Sequence, residues 1–157
     1  MAIEPAYIDR PFAPPLVRSV VIELAGEPKG KGRPRFSRQS GHAYTPQPTR
    51  TYEAMLRYAA QVKMAGSAPM EGPLRIEVLA AFPVPQSWSK KKQAAAHAGT
   101  VRPTGKPDLD NVLKMLDALN AVVWKDDAQI VVAAITKRYS DRPRLRLEVE
   151  QLWTGAA

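Results

Sequence analysis

Residues 107–139 read PDLDNVLKMLDALNAVVWKDDAQIVVAAITKRY, and two periodicities meet in this stretch. From Asp110 to about Val122, the residues Val112, Met115, Leu116, Leu119 and Val122 recur at helical spacing. On a wheel of about 100° per residue they crowd one side. Asp110, Lys114 and Asp117 fall on the other side, within roughly 60° of one another. Pro107 disfavours helix just before it. Asp108 and Asp110 therefore open the helix, where the dipole favours negative charge. The segment from Ile130 to Tyr139 begins as a continuous apolar run rich in β-branched residues, which predicts a buried strand.

Working outward, Arg144 to Glu150 alternates, with Leu145, Leu147 and Val149 inward. The turn Ser140-Asp141-Arg142-Pro143 lies between, which predicts an antiparallel hairpin of the last two strands. Leu74 to Phe82 alternates too, ended by Pro83 and Pro85, and so does Ser19 to Leu24. Thr49 to Ala65 carries Tyr52, Met55, Leu56, Ala59 and Val62 at helical spacing, with Thr49 or Thr51 as N-cap. Ser87 to Ala98 reads as a short helix stopped by Gly99. Gly26 to Pro48 reads as a long loop. The expected fold is α/β (α+β): a small mixed or antiparallel sheet of about four strands, flanked by two or three helices. Residues 1–18 are expected to form an irregular N-terminal extension and residues 19–153 a single domain.

The chain has 157 residues and no cysteine. That excludes a disulfide scaffold, a thiolate zinc site and a cysteine nucleophile. The opening MAIEPAYIDRPFAPP breaks any apolar stretch with acids and prolines, so no signal peptide is read there. The longest strongly apolar run, Ile130 to Ile135, is far short of a membrane span. A cytoplasmic protein without a membrane partner is expected.

The net charge is +8 at pH 7, which favours anionic partners, nucleic acid first. The charge is sorted along the chain. Lys29, Lys31, Arg33, Arg35, Arg38 and Arg50 occur between Pro28 and Tyr52 without an acid. Lys90, Lys91, Lys92, Arg102 and Lys106 occur between Gln86 and Pro107, again without one. Asp108, Asp110, Asp117, Asp126 and Asp127 then form an acidic island. Carboxylates repel phosphate at a polyanion-binding surface, and a bound divalent cation is a common reason to keep them there. Oxygen ligands of this kind suit Mg²⁺, which lowers the pKa of a water nucleophile and stabilises a leaving oxygen. Lys114, one turn from Asp110, could then hold the scissile phosphate.

Plainer readings stand beside these. Asp108 and Asp110 also read as helix caps, and Asp126-Asp127 as a polar turn. Lys114 also reads as an i,i+4 partner of Asp110. Trp124 reads as core. Gly30-Lys31-Gly32 lacks the Gly-Lys-Ser/Thr ending of a P-loop. His42 and His97 are isolated, without a partner at zinc spacing. No Ser-His-Asp arrangement is visible.

The segments Pro107-Asp-Leu-Asp-Asn111, Lys114, Asp117-Ala-Leu119 and Trp124-Lys-Asp-Asp-Ala-Gln-Ile130 resemble the signature of RusA-like Holliday junction resolvases, found in bacteria and their prophages. Lys31-Gly-Arg-Pro-Arg35 and Tyr44-Thr-Pro46 are also similar to many members. The resemblance implies a homodimer that nicks four-way DNA junctions in pairs during recombination and repair. It implies Mg²⁺ as cofactor, with Mn²⁺ as a substitute. By position it implies metal-binding and catalytic roles for Asp108, Asp110 and Asp127, and a catalytic role for Lys114. Lys29, Lys31, Arg33, Arg35, Arg38, Lys90, Lys91, Lys92 and Lys106 are the expected DNA-binding residues. The alternatives are a nuclease acting on flaps or branched DNA generally, and a non-catalytic basic DNA-binding protein.

Overall fold

The computed structural model describes residues 16–152. Four long strands form one mixed sheet: β1 (Leu16–Ala25), β4 (Leu74–Pro83), β5 (Ile130–Ser140) and β6 (Arg144–Leu152), in the order β1-β6-β4-β5. β6 pairs antiparallel with both β1 and β4, while β4 pairs parallel with β5. The register aligns alternate apolar residues across the strands. Ile22, Leu147, Val78 and Ile135 make one such row, and Val20, Val149, Ile76 and Ala133 the next.

Helices α1 (Gln47–Met64), α2 (Lys90–His97) and α3 (Leu109–Lys114) complete the frame, with α3 continuing as a 3₁₀ helix over Met115–Leu119. Tyr52, Leu56, Ala60 and Met64 of α1 join Val112, Met115, Leu116 and Leu119 in one core with the sheet. The expected α/β architecture is present, and the inward stripe of residues 112–119 is the one read from the sequence.

Five local expectations are corrected. The last two strands do reverse direction at Asp141-Arg142-Pro143, but they do not pair, because β4 lies between them. A turn signal reports reversal of the chain, not adjacency of the strands it joins. β5 is an edge strand, half-exposed along its length with Val131 exposed, and not a buried one. Its two-sided apolar pattern misled because one face looks outward.

On α1 the inward stripe is shifted. Met55 and Val62 are exposed together with Tyr58, while Ala60 and Met64 are buried. The N-cap is Pro46 without a side-chain cap. Thr49 is buried and its Oγ1 accepts instead from the Gly32 N–H at 3.2 Å. Finally, the loop from Gly26 to Pro48 carries a two-residue hairpin, β2 (Arg35–Phe36) with β3 (Ala43–Tyr44). The expected extension at residues 1–18 lies almost wholly outside the described residues. No helix among the described residues is long and apolar enough to cross a membrane.

The turn from the 3₁₀ helix into β5 is fixed by Trp124. Its ring is fully buried, and its Nε1–H donates to Asn120 Oδ1 at 2.6 Å. Ala121 takes a left-handed conformation at φ 65, and its N–H donates to the Trp124 carbonyl. Trp124→Ala should remove a large core side chain and strand the Asn120 amide, costing about 3–5 kcal/mol. Urea unfolding monitored by circular dichroism checks this, and a loss under about 1 kcal/mol would contradict the packing described.

Candidate active site

Asp108 is the N-cap of α3: its carboxylate accepts from the Asn111 N–H at 3.1 Å, which satisfies one of the helix's free donors. Asp110 sits in the first turn, and its Oδ2 accepts from Lys114 Nζ at 2.6 Å. Both side chains of that i,i+4 pair are more than half exposed, so it orients the two groups more than it stabilises the fold. The plainer readings of Asp108 as cap and Lys114 as partner of Asp110 are therefore realised. Neither consumes both oxygens of Asp108.

Asp117, on the same side of the helix, reaches across to the basic loop. Lys31 Nζ donates to its Oδ2 at 2.8 Å and lies 3.4 Å from Glu53 Oε1. The hydrogen bond to Asp117 raises the Lys31 pKa above 10.5, against the opposing effect of burial. A raised value means that this stabilisation is complete below pH 10.5 and is lost only as the pH rises through the folded value. The latch is therefore fully charged at neutral pH.

The backbone completes the docking. The Lys31 N–H donates to the Asn111 carbonyl at 3.0 Å. A Cβ at Gly30 would stand 2.6 Å from Pro107 Cβ, so only glycine lets the loop come this close. The result is a groove of about 680 Å³ whose walls include Lys29, Arg33, Lys106, Asp108 and Asn111. Two basic segments far apart in sequence thus face the acidic helix start.

The remaining candidates are placed elsewhere. Asp126 caps the short 3₁₀ turn Asp127–Gln129, accepting from the Ala128 N–H at 2.8 Å, while Gln129 Oε1 accepts from the Asp126 N–H. Asp127 is exposed at the head of β5; its carbonyl accepts from the Ile130 N–H, and its carboxylate has no hydrogen bond or ion pair among the described residues. Lys90, Lys91 and Lys92 lie on α2, where the Lys92 ammonium sits 3.8 Å from the centre of the Trp88 ring. Arg35 and Arg38 are exposed on and beside the hairpin. His42 and His97 are both exposed.

Among the described residues no group of three or more acidic, histidine or cysteine side chains stands close enough to enclose a metal ion. The donor chemistry of Asp108 and Asp110 nevertheless suits a hard cation held openly. Mg²⁺ is commonly bound by one or two carboxylates, with waters and substrate phosphate completing its shell.

Comparison with known proteins gives the family of the chain. The family model described as Endodeoxyribonuclease RusA matches residues 25–150. The chain belongs to the RusA endodeoxyribonuclease family. It is also 36% identical over 138 residues to the uncharacterized protein YqaN of Bacillus subtilis (strain 168), covering 85% of this chain and 96% of that protein. The matched RusA region contains the basic loop and the start of α3, which line the groove, and also the Asp126-Asp127 turn outside that lining.

Sequence reasoning missed the latch. Its signal was Gly30 and Gly32 on either side of Lys31, which marks a close backbone approach and not a phosphate loop. Asp117→Asn should weaken the docking of residues 29–33 by about 0.5–1 kcal/mol, as expected for a half-exposed ion pair. Limited trypsin digestion should then cut after Arg33 or Arg35 roughly two- to fivefold faster. Exchanging the charges, with Lys31→Asp and Asp117→Lys together, should restore protection. Unchanged cutting in Asp117→Asn would show that the pair does not hold the loop.

Proposed function

We propose that this RusA-family chain is a divalent-metal-dependent endonuclease that resolves four-way DNA junctions by paired, symmetric nicks, in recombination and repair, in the cytoplasm. One observation carries the reading: the acidic start of α3 and the basic loop Lys29–Arg33 are pinned together as the two walls of one groove. Phosphate needs the bases, and hydrolysis needs the acids.

Asp108 and Asp110 would hold Mg²⁺ openly, with Mn²⁺ as a substitute, and Asp127, from the head of β5, would be a third ligand only on closing towards them once ion and DNA are bound. When bound, such an ion lowers the pKa of a water nucleophile and neutralises charge on the phosphate. Lys114 keeps the Asp110 carboxylate oriented and presents a second positive charge beside it. Lys29, Arg33 and Lys106 bind the backbone of the cut strand from the groove walls. Arg35, Arg38, Lys90, Lys91 and Lys92 lie on the hairpin and α2, outside that groove lining, and would contact phosphates along the arms. Lys31 serves mainly as the latch.

A homodimer suits the substrate, because a four-way junction has approximate two-fold symmetry and a two-fold protein presents one site to each of two strands. The exposed side chains Met55, Tyr58 and Val62 on α1 support a surface for the second copy.

Asp110→Asn should reduce junction cutting in Mg²⁺ by at least about a hundredfold, while junction affinity is kept or increased. The assay compares labelled junction, flap and duplex DNA with and without the ion. Normal cutting by Asp110→Asn would refute the mechanism. Equal cutting of flaps and junctions by the unaltered chain would favour a general branch nuclease. Binding without any cutting would favour a non-catalytic DNA-binding protein.

A further inference from the structure

Phe36 is 76% exposed and Tyr44 49% exposed, and both stand on the β2-β3 hairpin. Their register is defined. Arg35 pairs with Tyr44 and Phe36 with Ala43, so Phe36 looks out from one face and the Arg35–Tyr44 pair from the other. Neither strand buries a side chain. The hairpin closes on its own backbone: the Ser37 N–H donates to the His42 carbonyl at 3.0 Å and the Gly41 N–H to the Ser37 carbonyl at 2.9 Å. Gly41, at φ 68, permits the turn. The result is a thin blade with an aromatic ring on each face and no role in the core.

Its charge identifies what it meets. Arg33, Arg35 and Arg38 flank Phe36 along the chain, and no acid occurs between Pro28 and Tyr52. An apolar partner surface would have to bury these guanidinium groups unpaired. A nucleic acid instead offers phosphates to the arginines and a base face to the ring, the combination by which proteins hold unstacked bases. Arg33 lies in the wall of the groove, and Phe36 is three residues further along, within about 10 Å of extended chain. The blade therefore starts within about 10 Å of the groove wall.

We propose that Phe36 stacks on a base exposed at the branch point of the DNA, so that the hairpin recognises the branch while the groove takes the strand to be cut. This rests on the reading of the groove as the site of junction cleavage. It assigns the recognition of unstacked bases to a residue outside the acidic cluster.

The test uses the full chain without added metal, with two four-way junctions. One carries the fluorescent base 2-aminopurine at the branch point and the other carries it in the middle of an arm. The chain should change the fluorescence of the branch-point probe and not that of the arm probe. Phe36→Ala should abolish the change and weaken junction binding at least about fivefold, with duplex affinity and its salt dependence unaltered. Phe36→Trp should keep both. Fluorescence and affinity in Phe36→Ala equal to those of the unaltered chain would overturn the proposal. So would a shift of Phe36→Ala to a smaller species in sedimentation, with junction and duplex binding lost together, which would make Phe36 part of an interface between copies. Failure of the unaltered chain to prefer junction over duplex would overturn the underlying reading of the groove, and is recognisable without any variant.

Discussion

The contact of Lys31 with Asp117 closes the groove, and the rest of the site depends on it. A loop of glycines, prolines and like charges has little reason to stay against a helix. Five cations between Pro28 and Pro48, without an acid among them, repel one another, and the helix dipole at Asp108 presents its positive end to them. The latch answers both problems with one carboxylate, placed beyond the helix start and seconded by Glu53. The Asn111 carbonyl and the seat for Gly30 against Pro107 then fix the loop at backbone level. Charge brings the segments together and the absence of a side chain at Gly30 sets how close they come.

The sheet supplies the rigidity behind this contact. Val112, Met115, Leu116 and Leu119 bury the inner side of the acidic helix against the core, so its outer side cannot roll away from the loop. Arg57 on α1 donates to the carbonyls of Ala118 and Asn120 and closes the far end of the 3₁₀ turn. Thr49, also on α1, holds Gly32. Helix α1 thus grips both walls of the groove from behind, through a residue near each end of the contact. The two walls belong to segments some eighty residues apart, yet both are referred to one helix.

Much of this was legible in the sequence, and the limits are physical. The helical stripe from Val112 to Leu119 and the alternation of Leu145, Leu147 and Val149 are single-element patterns, and both were read correctly. The pairing of β5 with β4 was not legible, because strand order is set by contacts between segments and not by any one of them. The same holds for Thr49: its position fits a cap, and only the placement of Gly32 shows that its hydroxyl serves the loop. Asp117 was visible as a polar residue on the outer face, but the partner that uses it comes from a loop with no periodicity to anchor a prediction. The exposed ring of Phe36 was hidden inside a stretch whose composition reads as plain loop. Spacing along the chain placed Asp108 and Asp110 at the helix start and Lys114 one turn beyond Asp110, and that is as far as spacing reaches.

The central claim is that the acidic helix start and the basic loop form one pocket in which phosphate and a divalent ion meet. It is tested most directly by nuclear magnetic resonance of isotope-labelled protein bound to junction DNA, adding paramagnetic Mn²⁺. The account predicts that backbone amide signals of residues 108–111 and 29–33 broaden together at the lowest Mn²⁺ additions, with Asp127 among the affected residues. Broadening confined to another surface, while both walls of the groove stay sharp, would contradict it.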